Sequence, residues 1–191
     1  ANEIARTLLQ ERLNVLDEAN FTASMPVPAV LSFGAAYRPN SRLTLAADAQ
    51  LNFWKTYRHL DIEFLSQALT PYNQHLVKNY HNAWTVRLGA QYSLTKRLDL
   101  RAGVMIDTTP VSAEHYNPET PGMTKINPSV GFSFSPVEWL AVDASLVYVA
   151  GLGKDDASCS YADLLSGTTR TFTANYSSHA WCPAIGFRLA F

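Results

Sequence analysis

The sequence predicts an all-β fold, a transmembrane antiparallel β-barrel, and three observations predict it. Seven segments alternate apolar and polar residues with a period of two. Charged residues make up only 16% of the chain, against roughly 25% in a soluble domain, and no run of about 18 apolar residues exists to make a membrane helix. Short and long connections also alternate between the segments, as they do in barrels with turns on one membrane side and loops on the other. A chain poor in charge with mean hydropathy of −0.07 must hide its apolar residues in alternation.

The elements follow in order. Ala1–Asn20 places Ile4, Leu8, Leu9, Leu13 and Leu16 on one face of a short amphipathic helix. A secretion leader would have an apolar core where Glu3 and Arg6 stand, so a mature or partial chain is expected. Phe21–Met25 is a candidate piece of an eighth strand. Residues 1–27 are therefore expected to form an outer loop with strand entry, and residues 28–191 the barrel wall.

The first wall segment sets Ala29, Leu31, Phe33, Ala35 and Tyr37 against Ser32 and Gly34. The second sets Leu43, Leu45, Ala47, Ala49, Leu51 and Phe53 against Thr44, Asp48, Gln50 and Asn52. In the third, Trp84, Val86, Leu88, Ala90, Tyr92 and Leu94 oppose Thr85, Arg87, Gln91 and Ser93. Leu98, Leu100, Ala102, Val104 and Ile106 oppose Asp99, Arg101, Gly103 and Asp107 in the fourth. The fifth has Val130, Phe132 and Phe134, and the sixth Leu140, Val142, Ala144, Leu146 and Tyr148 against Asp143 and Ser145. The last sets Trp181, Ile185, Phe187, Leu189 and Phe191 against Cys182, Ala184, Gly186 and Arg188. A soluble sandwich alternates in the same way, so the connections have to decide. Short turns at Arg38–Arg42, Thr95–Arg97 and Ser135–Glu138 alternate with long loops at Leu65–Ala83, Thr108–Lys125 and Gly151–Thr168. Aromatic residues gather towards segment ends, as interfacial girdles require.

Charge parity assigns the faces. Asp48, Arg87, Asp99, Arg101, Asp107, Asp143 and Arg188 all fall opposite the apolar stripe. Each would cost about 2–4 kcal/mol on the lipid side near the midplane. Facing a lumen they can pair across strands, and a polar lattice is expected there. Phe191 ends an amphipathic strand and resembles the signal read by the outer-membrane assembly machinery. That strand would end in the periplasm, with the short turns, leaving the long loops outside.

In sequence, three stretches carry a family resemblance: Pro28 to Leu60 with Asn52-Phe53-Trp54, Ala83 to Val111, and Asn127 to Ala150 with Ala180 to Phe191. The middle stretch, AWTVRLGAQYSLTKRLDLRAGVMIDTTPV, is the most specific. It holds an arginine and a glycine in one strand, a short turn, then R-x-G and an aspartate before Pro110-Val111. The chain resembles the C-terminal half of the FadL-type long-chain fatty acid transporters. The resemblance implies seven or eight strands of a monomeric fourteen-stranded barrel whose N-terminal hatch and lateral opening lie elsewhere. Half a barrel has two open edges that lipid does not tolerate, so a second chain carrying the other half, or a fragment, is expected. Ser112 replaces a usual second proline, and Pro121–Lys125 lacks the family's acidic and arginine residues. These departures fall in an outer loop and bear on the substrate.

The resemblance implies passive outer-membrane uptake of fatty acids or similar hydrophobic small molecules. Leu8, Leu9, Leu13, Leu16, Leu69 and Leu76 are candidates for an apolar groove, and Lys55, Arg87 and Arg101 for meeting a carboxylate. The alternative is a barrel of this type used as an adaptor or scaffold in protein secretion or surface assembly. Nothing points to an enzyme: no nucleophile elbow, phosphate loop or H-E-x-x-H pattern occurs. His59, His75, His81, His115 and His179 show no metal spacing, and no metal or cofactor is expected. A net charge of −1 gives no reason to expect a nucleic-acid partner. Whether Cys159 and Cys182 are bridged is left open by spacing.

Overall fold

A computed structural model describes residues 20–116, 122–163 and 168–190. Among the described residues twelve strands follow one another. They are β1 (Phe21–Ala23), β2 (Val30–Tyr37), β3 (Leu43–Asn52), β4 (His59–Phe64), β5 (Gln74–Val77), β6 (Ala83–Thr95), β7 (Leu98–Asp107), β8 (Lys125–Val137), β9 (Leu140–Gly151), β10 (Lys154–Asp163), β11 (Thr168–Tyr176) and β12 (His179–Leu189). Seven of them form one antiparallel sheet in the order β12-β9-β8-β7-β6-β3-β2. These are the seven segments legible as alternating stripes, and no described helix is long and apolar enough to cross a membrane.

The register keeps each stripe on one face. Leu31, Leu51, Trp84 and Asp107's neighbour Ile106 mark one end of the outer face, since Leu31 pairs with Leu51, Leu51 with Trp84 and Val86 with Ile106. Val130 pairs with Ala102 and Leu146, and Phe187 with Val142, so the same face continues to β12. Its large apolar side chains are open to the surroundings: Phe33 is 62% exposed, Leu88 54%, Ile185 73% and Phe187 72%. An apolar surface of that extent needs lipid against it.

The turns have local causes. At the β2–β3 connection the Asn40 Oδ1 accepts from the amides of both Arg42 and Leu43 at 2.9 Å, an Asx turn that fixes the hairpin. Thr95 Oγ1 accepts from Arg97 N at 3.1 Å in the β6–β7 turn. Register shifts at Ser93/Thr95 and Phe134/Val137 sit beside two of the short turns. Such bulges add twist where the sheet must curve. The end of β12 lies with these turns, because Leu189 pairs with Leu140 and Ala190 N donates to Trp139 O.

The long connections carry structure of their own, which the alternation pattern did not reveal. Phe21–Met25, the candidate piece of an eighth strand, holds β1, which pairs with β4 in a separate three-stranded sheet, β1-β4-β5. That sheet has its own apolar side, and the Phe21 and Phe64 rings meet edge to face at 6.1 Å. The region after Gly151 was expected to be a loop, but β10 and β11 form a hairpin. One face is Ser and Thr (Ser158, Ser160, Thr171, Thr173) and the other a broken stripe of Ala157, Phe172, Ala174 and Tyr176, too short and mixed to announce a strand pair.

Packing in the ordinary sense occurs outside the wall. Val111, Tyr116 and Ala157 form a buried cluster against which Tyr80 and Tyr176 pack. Tyr116 N donates to Ser158 O at 3.2 Å, and His81 N to Pro110 O at 2.9 Å. All three long connections therefore meet in one body above the sheet. Burial, helped by the neighbouring Tyr176, pushes the Tyr116 phenol above its usual value, so it stays a neutral ring at physiological pH.

Candidate functional site

Alternation sends every second wall residue to the inner face, and sequence decides what stands there. At mid-height the row is small: Ala46 faces Gly89, Gly89 faces Gly103, and Gly103 faces Ser129. A neighbouring row runs Gln91, Arg101, Gly131, Ser145 and Ala184. The result is a trough of about 750 Å³ along the inner wall. That lies within the range of roughly 300–1,000 Å³ typical of small-molecule pockets. Gly103 is required by close approach, since a Cβ there would stand 3.0 Å from Leu88 O. Gly89 is not, because the nearest atom to its Cβ would be 3.9 Å away.

Charged pairs bound the trough. Arg87 Nη1 lies 2.7 Å from Asp48 Oδ1, and Arg101 Nη1 lies 3.3 Å from Asp143 Oδ1. Arg101 Nε also donates to Gln91 Oε1 at 3.1 Å. Ser133 bonds to Asp143, and Arg188 stands close enough to act on it electrostatically. Thr85 Oγ1 donates to Asp107 at 2.7 Å and Ser93 Oγ to Asp99 at 2.6 Å. These side chains are roughly 40% exposed in the ion pairs. Such pairs contribute at most about 1 kcal/mol each, so their arrangement shapes the lumen more than it stabilises the fold.

A second hollow, of about 440 Å³, opens at the outer rim. Lys55, Arg58, Asn79, Tyr80 and His81 line it, with no carboxylate among them. Lys55 sits in the single turn Trp54–Thr56 that ends β3, and its amide is held by Asn82 Oδ1 at 3.2 Å. The chain returns alongside, with Lys78 N and Asn79 N both donating to Arg58 O. Asn79 adopts φ 42°, a left-handed conformation that Asn tolerates and that turns the chain into β6. Behind the basic groups, Trp54, Tyr57 and Tyr80 stack edgewise, with Tyr57 and Tyr80 at 5.0 Å. Burial, then the proximity of Tyr80, pushes the Tyr57 phenol up, so it presents a neutral hydroxyl.

The candidates from sequence are thus dispersed. Arg87 and Arg101 both line the trough, each engaged by a carboxylate. Lys55 stands apart at the rim. Leu69 is buried in the turn Gln67–Tyr72, which packs against β4, and Leu76 lies opposite Leu60 on the outer sheet. Leu8, Leu9, Leu13, Leu16 and Phe191 lie outside the described residues, as does the Cys159 side chain; Cys182 is an exposed free thiol. Arg58 follows Lys55 by three residues without a pattern to mark it, and Asn79, Tyr80 and His81 carried no signal as its neighbours, because a backbone return of more than twenty residues joins them to Lys55.

A family model described as "Outer membrane protein transport protein (OMPP1/FadL/TodX)" matches residues 5–191. No match was found among curated proteins. Among solved structures, a Pseudomonas aeruginosa FadL homologue is 20% identical with a TM-score of 0.70, covering 88% of this chain. The P. putida toluene transporter TodX is 18% identical with a TM-score of 0.58, covering 89%. A TodX monoaromatic hydrocarbon channel deltaS2 mutant is 18% identical with a TM-score of 0.61, covering 90%. The chain spans 37%, 36% and 38% of the length of these three structures.

Proposed function

Since the chain belongs to the outer membrane protein transport family described as OMPP1/FadL/TodX, we propose that it forms part of a passive route for long-chain fatty acids or related hydrophobic molecules. The observation that carries this reading is the joint presence of a basic, aromatic hollow at the outer rim and a small-residue trough on the inner wall. The rim offers a carboxylate two cationic side chains, Lys55 and Arg58, that have no ion-pair partner among the described residues, beside aromatic surface. Arg87 and Arg101 are already neutralised by Asp48 and Asp143, so Lys55 is the better head-group partner of the three. Leu76 offers apolar surface in the outer connection that follows, Leu69 is buried and supports it from within, and Leu8, Leu9, Leu13 and Leu16 are assigned to the same groove.

Burial drives such a step without an energy source. Each methylene removed from water contributes about 0.8 kcal/mol, so a long acyl chain has ample drive to leave the rim for the trough. The β2 and β12 edges are unpaired among the described residues, and lipid does not tolerate open edges. Further strands, on this chain or a companion, therefore close the wall. Phe191 is assigned to recognition by the outer-membrane assembly machinery.

The test compares a radiolabelled long-chain fatty acid, its methyl ester and a monoaromatic hydrocarbon for uptake by cells with and without the protein. Lys55→Ala combined with Arg58→Ala is expected to weaken acid binding by about 1 kcal/mol per exposed contact, roughly fivefold for each and roughly thirtyfold together, and to leave the ester unchanged. Uptake of the hydrocarbon with no preference for the acid would reject the fatty-acid reading and keep hydrophobic transport. No protein-dependent uptake of any of the three would reject both.

A further inference from the structure

β4 and β5 form a hairpin of the outer three-stranded sheet, and alternation sorts their side chains. Leu60, Ile62, Phe64 and Leu76 take one face, and His59, Asp61, Glu63 and His75 the other. The register places His75 directly opposite Asp61, with His59 two residues away along β4. Both imidazoles close on the same carboxylate. His59 Nε2 lies 3.1 Å from Asp61 Oδ2, and His75 Nδ1 contacts Asp61 Oδ1. The two rings stand 4.8 Å apart, inclined by 33°. Side-chain exposures of 51%, 39% and 63% for His59, Asp61 and His75 let a solute reach them with no opening of the fold.

We propose that His59, His75 and Asp61 bind a divalent transition-metal ion of the Zn²⁺, Cu²⁺ or Ni²⁺ type. Two imidazole nitrogens and one carboxylate oxygen are the donor set these ions prefer, and water completes the coordination. As they lie, no three or more His, Cys, Asp or Glu side chains among the described residues are placed to hold a metal ion, these three included, so the site forms only when the side chains turn. The physical reason is that both ring nitrogens lean on the carboxylate, which serves as their partner. An ion entering between them replaces those contacts, and the exposed side chains need only rotate. The strand register meanwhile holds their Cβ atoms in place. Binding pins β4 to β5 and so rigidifies the outer sheet that presents Leu60, Ile62 and Leu76. Asp61 and His75 are fourteen positions apart, so only the hairpin pairing makes them neighbours.

The test is calorimetric titration of Zn²⁺ into the chelator-treated, detergent-solubilised native protein. One saturable site is expected. His59→Ala and His75→Ala should each weaken it by at least tenfold, because even an outer partner of a metal ligand is worth about 10–100-fold. His179→Ala, on β12, should leave it unchanged. Electron paramagnetic resonance of the Cu²⁺ form provides a check on the unaltered protein, with hyperfine coupling from two imidazole nitrogens expected. No saturable heat, a heat that survives both histidine substitutions (an adventitious ion only), or a Cu²⁺ signal without nitrogen coupling would overturn the proposal.

Discussion

Leu88→Arg is expected to destabilise the folded barrel by about 2–4 kcal/mol, the largest stability effect available from one wall position. Leu88 lies near the middle of β6 on the outer face, paired with Ala47 and Val104, and is 54% exposed. In water that exposure would make the change harmless, since surface substitutions usually stay within about 0.5 kcal/mol. In lipid it buries a guanidinium in hydrocarbon with no partner within reach. Ala46→Arg is the matched control, with the same added charge on the inner face of the neighbouring strand. It should alter stability by less than about 1 kcal/mol, because the lumen solvates it. The measurement is urea-driven unfolding in phospholipid vesicles, followed by tryptophan fluorescence and the heat-dependent shift in electrophoretic mobility. Equal losses for the two variants would mean that the faces have been assigned wrongly, and with them the membrane.

Gly89→Trp is expected to reduce ligand uptake by tenfold or more while the barrel still folds. Gly89 faces Ala46 and Gly103 in the shallow row of the inner wall, and a Cβ added there meets nothing closer than 3.9 Å. Aromatic residues suit a half-buried pleated surface, so the strand tolerates the ring. The indole then occupies the trough itself. Each apolar contact that the ligand would have made with the small-residue row is lost together with the space. Gly103→Trp tests a different property, since its Cβ would crowd Leu88 O at 3.0 Å and disturb the pairing. A Gly89→Trp protein that folds normally and transports at the original rate would place the ligand's route away from this wall.

The wall was legible because lipid and lumen impose opposite demands on successive residues. Leu43 to Leu51 and Trp84 to Leu94 carry that demand without interruption, and the sheet pairs them stripe to stripe. The outer end of β8 was less legible, since Pro128 interrupts the apolar stripe between Ile126 and Val130 where the strand leaves the apolar band. Phe21–Ala23 has the composition of a wall strand, yet it pairs with β4 outside the wall. A three-residue segment cannot encode its own partner. The β10–β11 hairpin was illegible for another reason: its alternation is short and weak, with Ser158, Ser160, Thr171 and Thr173 on one face and Ala157, Phe172, Ala174 and Tyr176 on the other.

By itself, the sequence determined the period, the faces and the lipid-facing identity of seven strands, because a side-chain period of two leaves one choice once charge parity is known. It also determined which charges share one face of the sheet. Only the tertiary structure decided who meets whom: that Arg87 belongs to Asp48 and Arg101 to Asp143. It decided too that Lys55 shares a hollow with Arg58 and His81, and that His75 stands opposite Asp61. Those neighbours come from strand order, from register and from loops that return over more than ten residues. Alternation along one strand fixes where a side chain points, and pairing between strands fixes what it finds there.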